Sequence, residues 1–296
     1  MIDPKRCNVC DRTRVLKRNN GLCTEMAEDG LPIRCVADHS ERKLRILGAY
    51  MTIFSTGMKN KWSYLNYIDL FAGPGLCYNF KRAREILGSP LLSLNTRDPF
   101  TSIHLVEMKE RVLNALRKRV LRHSRKDSVY IYEGDCNEEV ANLRNNLSIG
   151  YDSLDLAFLD PEGFELSFET IRALTKDRKM DLIVNFPTSG IRRNIQKTAS
   201  RDSSRLDLLV PGWREVYRNP LPTSEAAALA ILDHFKKLLE GIGYETIEPA
   251  DRISIFTSDT KTHLYDLIYA SKNKRGKDFW QKVARKALEG SQKTLF

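Results

Sequence analysis

An apolar run from Tyr64 to Leu70 carries Asp69 near its end and breaks at once over Gly73-Pro74-Gly75. A strand that stops on an acid and turns through glycines lets the backbone approach a ligand where a side chain would collide. Further strand-sized apolar runs follow at Ser102 to Glu107, Val129 to Tyr132, Leu154 to Leu159 and Asp181 to Asn185, with a helix opening near Ser89-Pro90 after the first turn. The run from Leu154 is apolar except for Asp155, as a strand covered on both faces must be. This alternation predicts a doubly wound, mostly parallel α/β sheet, completed to seven strands by an antiparallel pair near Tyr244 to Ile247 and His263 to Ala270. Leu44, Leu47, Tyr50, Met51 and Phe54 recur at helical spacing behind Ser40, a candidate cap. Ser224 to Glu240 reads as another helix, ended by Gly241. Between them, residues 188–223 lose the pattern and are expected to form an inserted substrate loop.

The spacing around the glycines selects the ligand. A dinucleotide fold needs Gly-x-Gly-x-x-Gly to seat a pyrophosphate on a helix. Here Gly73-Pro74-Gly75 is followed by Leu76-Cys77-Tyr78. Asp69 before the turn would repel a pyrophosphate, whereas it suits the amino and sulfonium groups of S-adenosylmethionine. Glu107, closing the second strand, can accept both ribose hydroxyls. Asp135, after the third, can meet the adenine amino group or simply cap the next helix. Asp69, Phe71, Gly73, Gly75, Glu107 and Asp135 are therefore the expected cofactor residues.

The run Tyr67-Ile68-Asp69-Leu70-Phe71-Ala72-Gly73-Pro74-Gly75, with Gly88-Ser89-Pro90-Leu91 and Phe158-Leu159-Asp160-Pro161-Glu162-Gly163, resembles the three-Cys-motif partner proteins of bacteria and archaea. The resemblance covers residues 39 to 275, including Leu267-Ile268-Tyr269-Ala270-Ser271-Lys272. It implies a core like that of the class I S-adenosylmethionine-dependent methyltransferases, a Rossmann-like sheet. In amino-group methyltransferases of that class an Asp/Asn-Pro-Pro-Tyr/Phe loop holds the target base, which is flipped out of its helix. In this chain Asp160 and Pro161 fit that loop, Glu162 replaces the second proline, and Gly163 precedes the aromatic Phe164. Asp160, Pro161 and Phe164 are the expected catalytic residues, with Asn185-Phe186-Pro187 lining the same pocket. The plainer alternative for Asp160 is a helix cap.

Cysteine usage sets residues 1–38 apart as a small module ahead of the 39–296 domain. Cys7-x2-Cys10, followed by Cys23 and Cys35, can furnish four thiolates to a structural zinc. His39 is a substitute ligand, an iron–sulfur centre or unligated thiols are the alternatives, and the name of the resembled family refers to cysteines of its partner. Arg12, Arg14, Lys17 and Arg18 fall inside this finger, where they could touch phosphates. Cys77 and Cys136 read as buried thiols.

The net charge of +10 favours an acidic partner, and nucleic acid is the commonest. Lys109, Arg111, Arg117, Lys118, Arg119, Arg122, Arg125 and Lys126 face only Glu110 in their segment up to 126, and the tail from Lys272 is also basic. A solvated helix face and a soluble tail would carry the same residues. No apolar run approaches the roughly 20 residues of a membrane span, and the N-terminus lacks the apolar core of a signal peptide, so a cytoplasmic location is expected. Two functions fit: methyl transfer to an amino nitrogen of a nucleic acid base, or a non-catalytic assembly subunit of a defence or modification system that works through a protein partner. A nuclease on the same scaffold lacks a metal-binding acidic motif.

Overall fold

The computed structural model describes residues 10–147, 152–218 and 223–289. The chain divides into two compact units, one spanning residues 1–139 with 146–153, the other 140–145 with everything from Leu154.

The first unit opens with α1 (Arg12–Arg18), capped by Asp11, whose carboxylate accepts the Arg14 N–H at 3.1 Å. β1 (Leu22–Met26) and β2 (Pro32–Val36) form an antiparallel hairpin. α2 (Asp38–Met58) follows, burying Leu44, Leu47, Tyr50, Met51 and Phe54 as the spacing predicts. Its N-cap is Ala37, not Ser40, which lies inside the helix. β3 (Tyr64–Asp69) leads into the glycine turn. The next element is not a helix: β4 (Leu76–Asn79) and β5 (Arg84–Leu87) form a second antiparallel hairpin, and only then comes the short α3 (Ser89–Leu94) with proline at its first turn. β4 pairs in parallel with β2, so the Cys-rich segment completes a four-stranded sheet, β1-β2-β4-β5, with chain from beyond the glycines. β6 (Ser102–Glu107), α4 (Glu110–Leu121) and β7 (Val129–Glu133) finish the unit. β3, β6 and β7 run parallel, placing their carboxyl ends on one edge.

α5 (Cys136–Asn146) and β8 (Ser153–Leu159) straddle the division. In the second unit α6 (Phe168–Thr175) connects to β9 (Met180–Phe186), which is parallel to β8 and fully buried. Residues 219–222 of the expected loop lie outside the described residues, and residues 188–218 are not a loop. They form α7 (Thr188–Ala199), α8 (Arg205–Leu209) and α9 (Trp213–Arg218), because Ile191, Ile195, Leu206, Leu209 and Trp213 all bury. α10 (Ser224–Glu240) matches its expected span, with Thr223 accepting the Ala226 N–H. β10 (Arg252–Phe256) and β11 (His263–Ala270) are antiparallel. The expected strand at Tyr244 to Ile247 is absent; both end residues bury without joining the sheet, and Ile253 and Ile255 take the place opposite β11. The basic tail is α11 (Lys274–Glu289), anchored by the buried Trp280, whose ring stacks on Tyr269 at 5.1 Å.

Strand order in the larger sheet is β10-β11-β9-β8-β3-β6-β7, seven strands with β11 antiparallel to its neighbours. This is the mostly parallel, doubly wound α/β architecture expected from the alternation. Among the described residues no helix is long and apolar enough to cross a membrane.

Candidate functional site

The turn after β3 is shaped by its glycines. Gly73 and Gly75 adopt φ of +69° and +89°, conformations that a side chain resists. A Cβ on Gly75 would touch Arg119, Leu91 and Leu116 at 3.4–3.5 Å. Gly88 donates its N–H to the Gly75 carbonyl at 2.7 Å, and a Cβ there would meet the same oxygen at 2.9 Å. The turn is thus braced from the far end of the β4–β5 hairpin.

Asp69 lies beneath the turn with no exposed surface. Its carboxylate accepts the Phe71 N–H at 3.1 Å and the Tyr67 hydroxyl at 3.3 Å. Phe71 itself is half-exposed at the start of the turn. Glu107, at the carboxyl end of β6, is nearly buried and accepts the Gly73 N–H at 3.0 Å with one oxygen and the Lys109 N–H at 2.9 Å with the other. The structure therefore joins Glu107 to the glycine turn directly, across 34 residues of sequence. Asp135 follows β7 and turns onto its own helix, its carboxylate accepting from the Asn137 backbone and side-chain amides at 2.9 and 2.8 Å. That is the capping role anticipated as its alternative.

Sequence reasoning did not single out Arg119 as part of this site. It sits on the apolar stripe of α4 with Val112, Leu116 and Val120, where a cation must be paired. Its guanidinium donates to both oxygens of Asp29, at 2.7 and 2.9 Å, and to the carbonyls of Pro32 and Pro74, at 2.8 and 2.7 Å. Pro74 is the middle residue of the turn, so one buried side chain ties it to the β1–β2 loop. Burial pushes the Asp29 carboxyl up, but hydrogen bonds from Arg119 and the Leu31 N–H, with the charges of Arg119 and Arg122, outweigh it and hold the group below its ordinary range.

The remaining basic cluster divides in the same way. Arg125 is occupied by the carbonyls of Leu94 and Thr96, Arg117 by Glu133, and Arg122 reaches Asp29. Arg111 binds Asn19 at the end of α1, and with the exposed Lys118 it flanks a groove of about 340 Å³ floored by Leu31, Pro32 and Ala115. Of this cluster, Arg119 is buried and Arg125 is turned onto backbone carbonyls, while Arg117 and Arg122 stay exposed in their pairs.

The four-cysteine zinc centre is not assembled among the described residues, where no three Cys, His, Asp or Glu side chains come together to hold a metal ion. Cys23 and Cys35 are buried with Ala27, Ile33 and Tyr78 in an apolar cluster, so they pack a small core instead. Cys10 is half-exposed, and Cys7 lies outside the described residues. The finger expected between them is α1, with Arg12 resting on the Phe80 ring at 3.5 Å.

In the second unit, Asp160 follows the last residue of β8 and accepts the Asn185 side-chain amide at 2.6 Å. It does not cap α6; the Ser167 hydroxyl does, accepting the Glu169 N–H at 3.2 Å. Asn185 is 8% exposed, and its carbonyl oxygen is buried with no hydrogen-bond partner among the described residues. Pro161 is buried and Phe164 half-exposed, its ring beside Gly190 near the start of α7. Gly163 donates to Glu165 at 2.7 Å, so the departure from a Pro-Pro-aromatic loop is a local turn closed by its own carboxylate.

No protein-family model matches the sequence, and no curated protein matches it. Solved structures do. Protein LPL1258 from Legionella pneumophila str. Philadelphia 1, described under the family model DUF519, aligns at a TM-score of 0.50 and 15% identity over 83% of this chain and 90% of that one. The methyltransferase domain METTL16 aligns at 0.44 and 14% identity over 92% and 81%. An O-methyltransferase from Bacillus cereus, in complex with S-adenosylhomocysteine, aligns at 0.42 and 12% over 91% and 96%. At these identities the likeness is one of fold.

Proposed function

We propose that this chain transfers a methyl group from S-adenosylmethionine to an amino nitrogen of a nucleic acid base. Glu107 carries the reading. Two backbone N–H groups fix its carboxylate at the lip of a strained glycine turn, and a carboxylate has about four acceptor positions, so two remain for ribose hydroxyls. Asp69 adds a buried negative charge beneath the turn, favourable to a sulfonium and unfavourable to a pyrophosphate. The bound donor supplies an electrophilic methyl carbon. Asp160, aligned by Asn185, accepts a hydrogen bond from the acceptor NH2, aims its lone pair, and takes the proton released on transfer. Pro161 and Phe164 flank that acceptor, with the ring available for stacking on a base. Arg111 and Lys118, at the groove of the first unit, are cations suited to nucleic acid phosphates.

The second reading, an assembly subunit of the three-Cys-motif partner type, draws on Asp135, one of whose carboxylate oxygens caps its own helix, and on the altered Glu162-Gly163 loop. Incubating the protein with labelled methyl donor and separate pools of cellular RNA, DNA and protein distinguishes the two. Label in a nucleic acid pool, lost in Asp160→Asn with donor affinity kept, is the expected result. Donor binding without label in any pool, or label in protein alone, contradicts it.

A further inference from the structure

We propose that Arg34, from the Cys-rich segment, is the anion-binding residue of the cofactor site and holds the carboxylate of the methionyl end of S-adenosylmethionine. This rests on the methyl-donor reading and adds to it a residue that neither motif nor spacing marks.

The placement follows from strand geometry. Along β2 the side chains alternate. Ile33 and Cys35 turn into the small apolar cluster, so Arg34 between them faces the other way. β2 runs parallel to β4 with Arg34 opposite Cys77, two residues beyond Gly75. The guanidinium is thereby carried over the turn. A Cβ on Gly73 would lie 3.8 Å from Arg34 Cζ and 4.0 Å from its Nε and Nη2. Glycine at that position adds no side chain of its own between the guanidinium and the backbone that the ligand approaches.

The ligand's chemistry needs such a group. S-adenosylmethionine carries a sulfonium, an ammonium and one carboxylate. Asp69 and Glu107 suit the cationic centres and the ribose, but they repel the carboxylate that arrives with them. A planar, permanently charged fork beside the turn resolves the conflict by donating to both carboxylate oxygens. The hairpin of β1 and β2 is then a working part of the cofactor site, and Arg119 and Asp29 fix its loop against Pro74 from the other side.

Calorimetry with two ligands tests this. S-adenosylhomocysteine has the carboxylate; 5′-methylthioadenosine keeps the nucleoside and thioether without it. Arg34→Ala is expected to weaken S-adenosylhomocysteine by about tenfold or more, the loss of charged hydrogen bonds, and to leave 5′-methylthioadenosine unchanged, which also shows the site intact. Arg34→Lys should recover part of the loss. Equal weakening of both ligands, or none of either, overturns the assignment. If neither ligand binds the unaltered protein, the donor reading itself fails, an outcome distinct from failure of Arg34 alone.

Discussion

Arg119 and Asp29 show how one buried pair shapes the site without touching a ligand. Arg119 is nearly buried, and its Asp29 partner keeps about a quarter of its side-chain surface. Truncating one member of such a pair strands the other. Arg119→Ala is therefore expected to cost about 3 kcal/mol, read from denaturant unfolding, and to weaken donor binding by freeing the Pro74 carbonyl. A loss no larger than an exposed pair would give, below about 1 kcal/mol, would contradict it. Because the folded-state pKa of Asp29 is depressed, the pair's contribution is present above the ordinary carboxylate value and lost as pH falls through the depressed one. The glycines give a matched test. Gly88→Ala drives a methyl into the Gly75 carbonyl at 2.9 Å, whereas Gly48→Ala in α2 meets Leu92 at an ordinary 3.6 Å. The first should reduce donor affinity; the second should raise stability by roughly 0.5–1 kcal/mol and leave binding alone. Reversed effects in the two titrations would show that the turn is not braced by Gly88.

At the scale of elements, the helices of residues 188–218 carry their own prediction. Asp207 is held down to about 2, first by its hydrogen bonds from Arg214 and then by Ser204 and Trp213, against burial. Its depressed value means that the link between α8 and α9 is intact above the ordinary carboxylate pKa near 3.8 and is lost as pH falls toward about 2. Asp207→Asn should reproduce that loss at neutral pH, seen as an altered Trp213 emission and a lower unfolding midpoint. Unchanged emission would remove Asp207 from this role. The five principal parallel strands were legible because each is a strand-sized run rich in apolar residues, and Ser102–Glu107 and His263–Ala270 match residue for residue. β4 and β5 were not, since Asn79, Arg84 and Glu85 look like loop and the partner strand β2 lies some forty residues upstream, a pairing local pattern cannot register. α7 left a signal in Ile191 and Ile195, and α8 in its Ser204–Asp207 capping box, but helices of five and six residues fall below the length at which periodicity speaks. The strand expected at Tyr244 to Ile247 is absent because two buried side chains do not by themselves make a strand.

For the whole molecule, the site was legible where its chemistry sits at strand ends and hidden where it comes from afar. Asp69, Glu107 and Asp160 announce themselves by following apolar runs. Arg119 meets Asp29 across 90 residues, and Arg34 reaches the turn only through the β2–β4 pairing. Net charge was a poorer guide than position, since Arg119 and Arg125 serve the interior while Arg111 and Lys118 remain at the groove. The proposed methyl transfer requires carboxylates at a sheet edge to hold a sulfonium ligand. Calorimetric titration of S-adenosylhomocysteine into the unaltered protein, beside Glu107→Ala, tests this most directly. One ligand per chain, with affinity lost in the variant while its fold persists, is the predicted result; no binding to the unaltered protein, or equal binding to both, would contradict it.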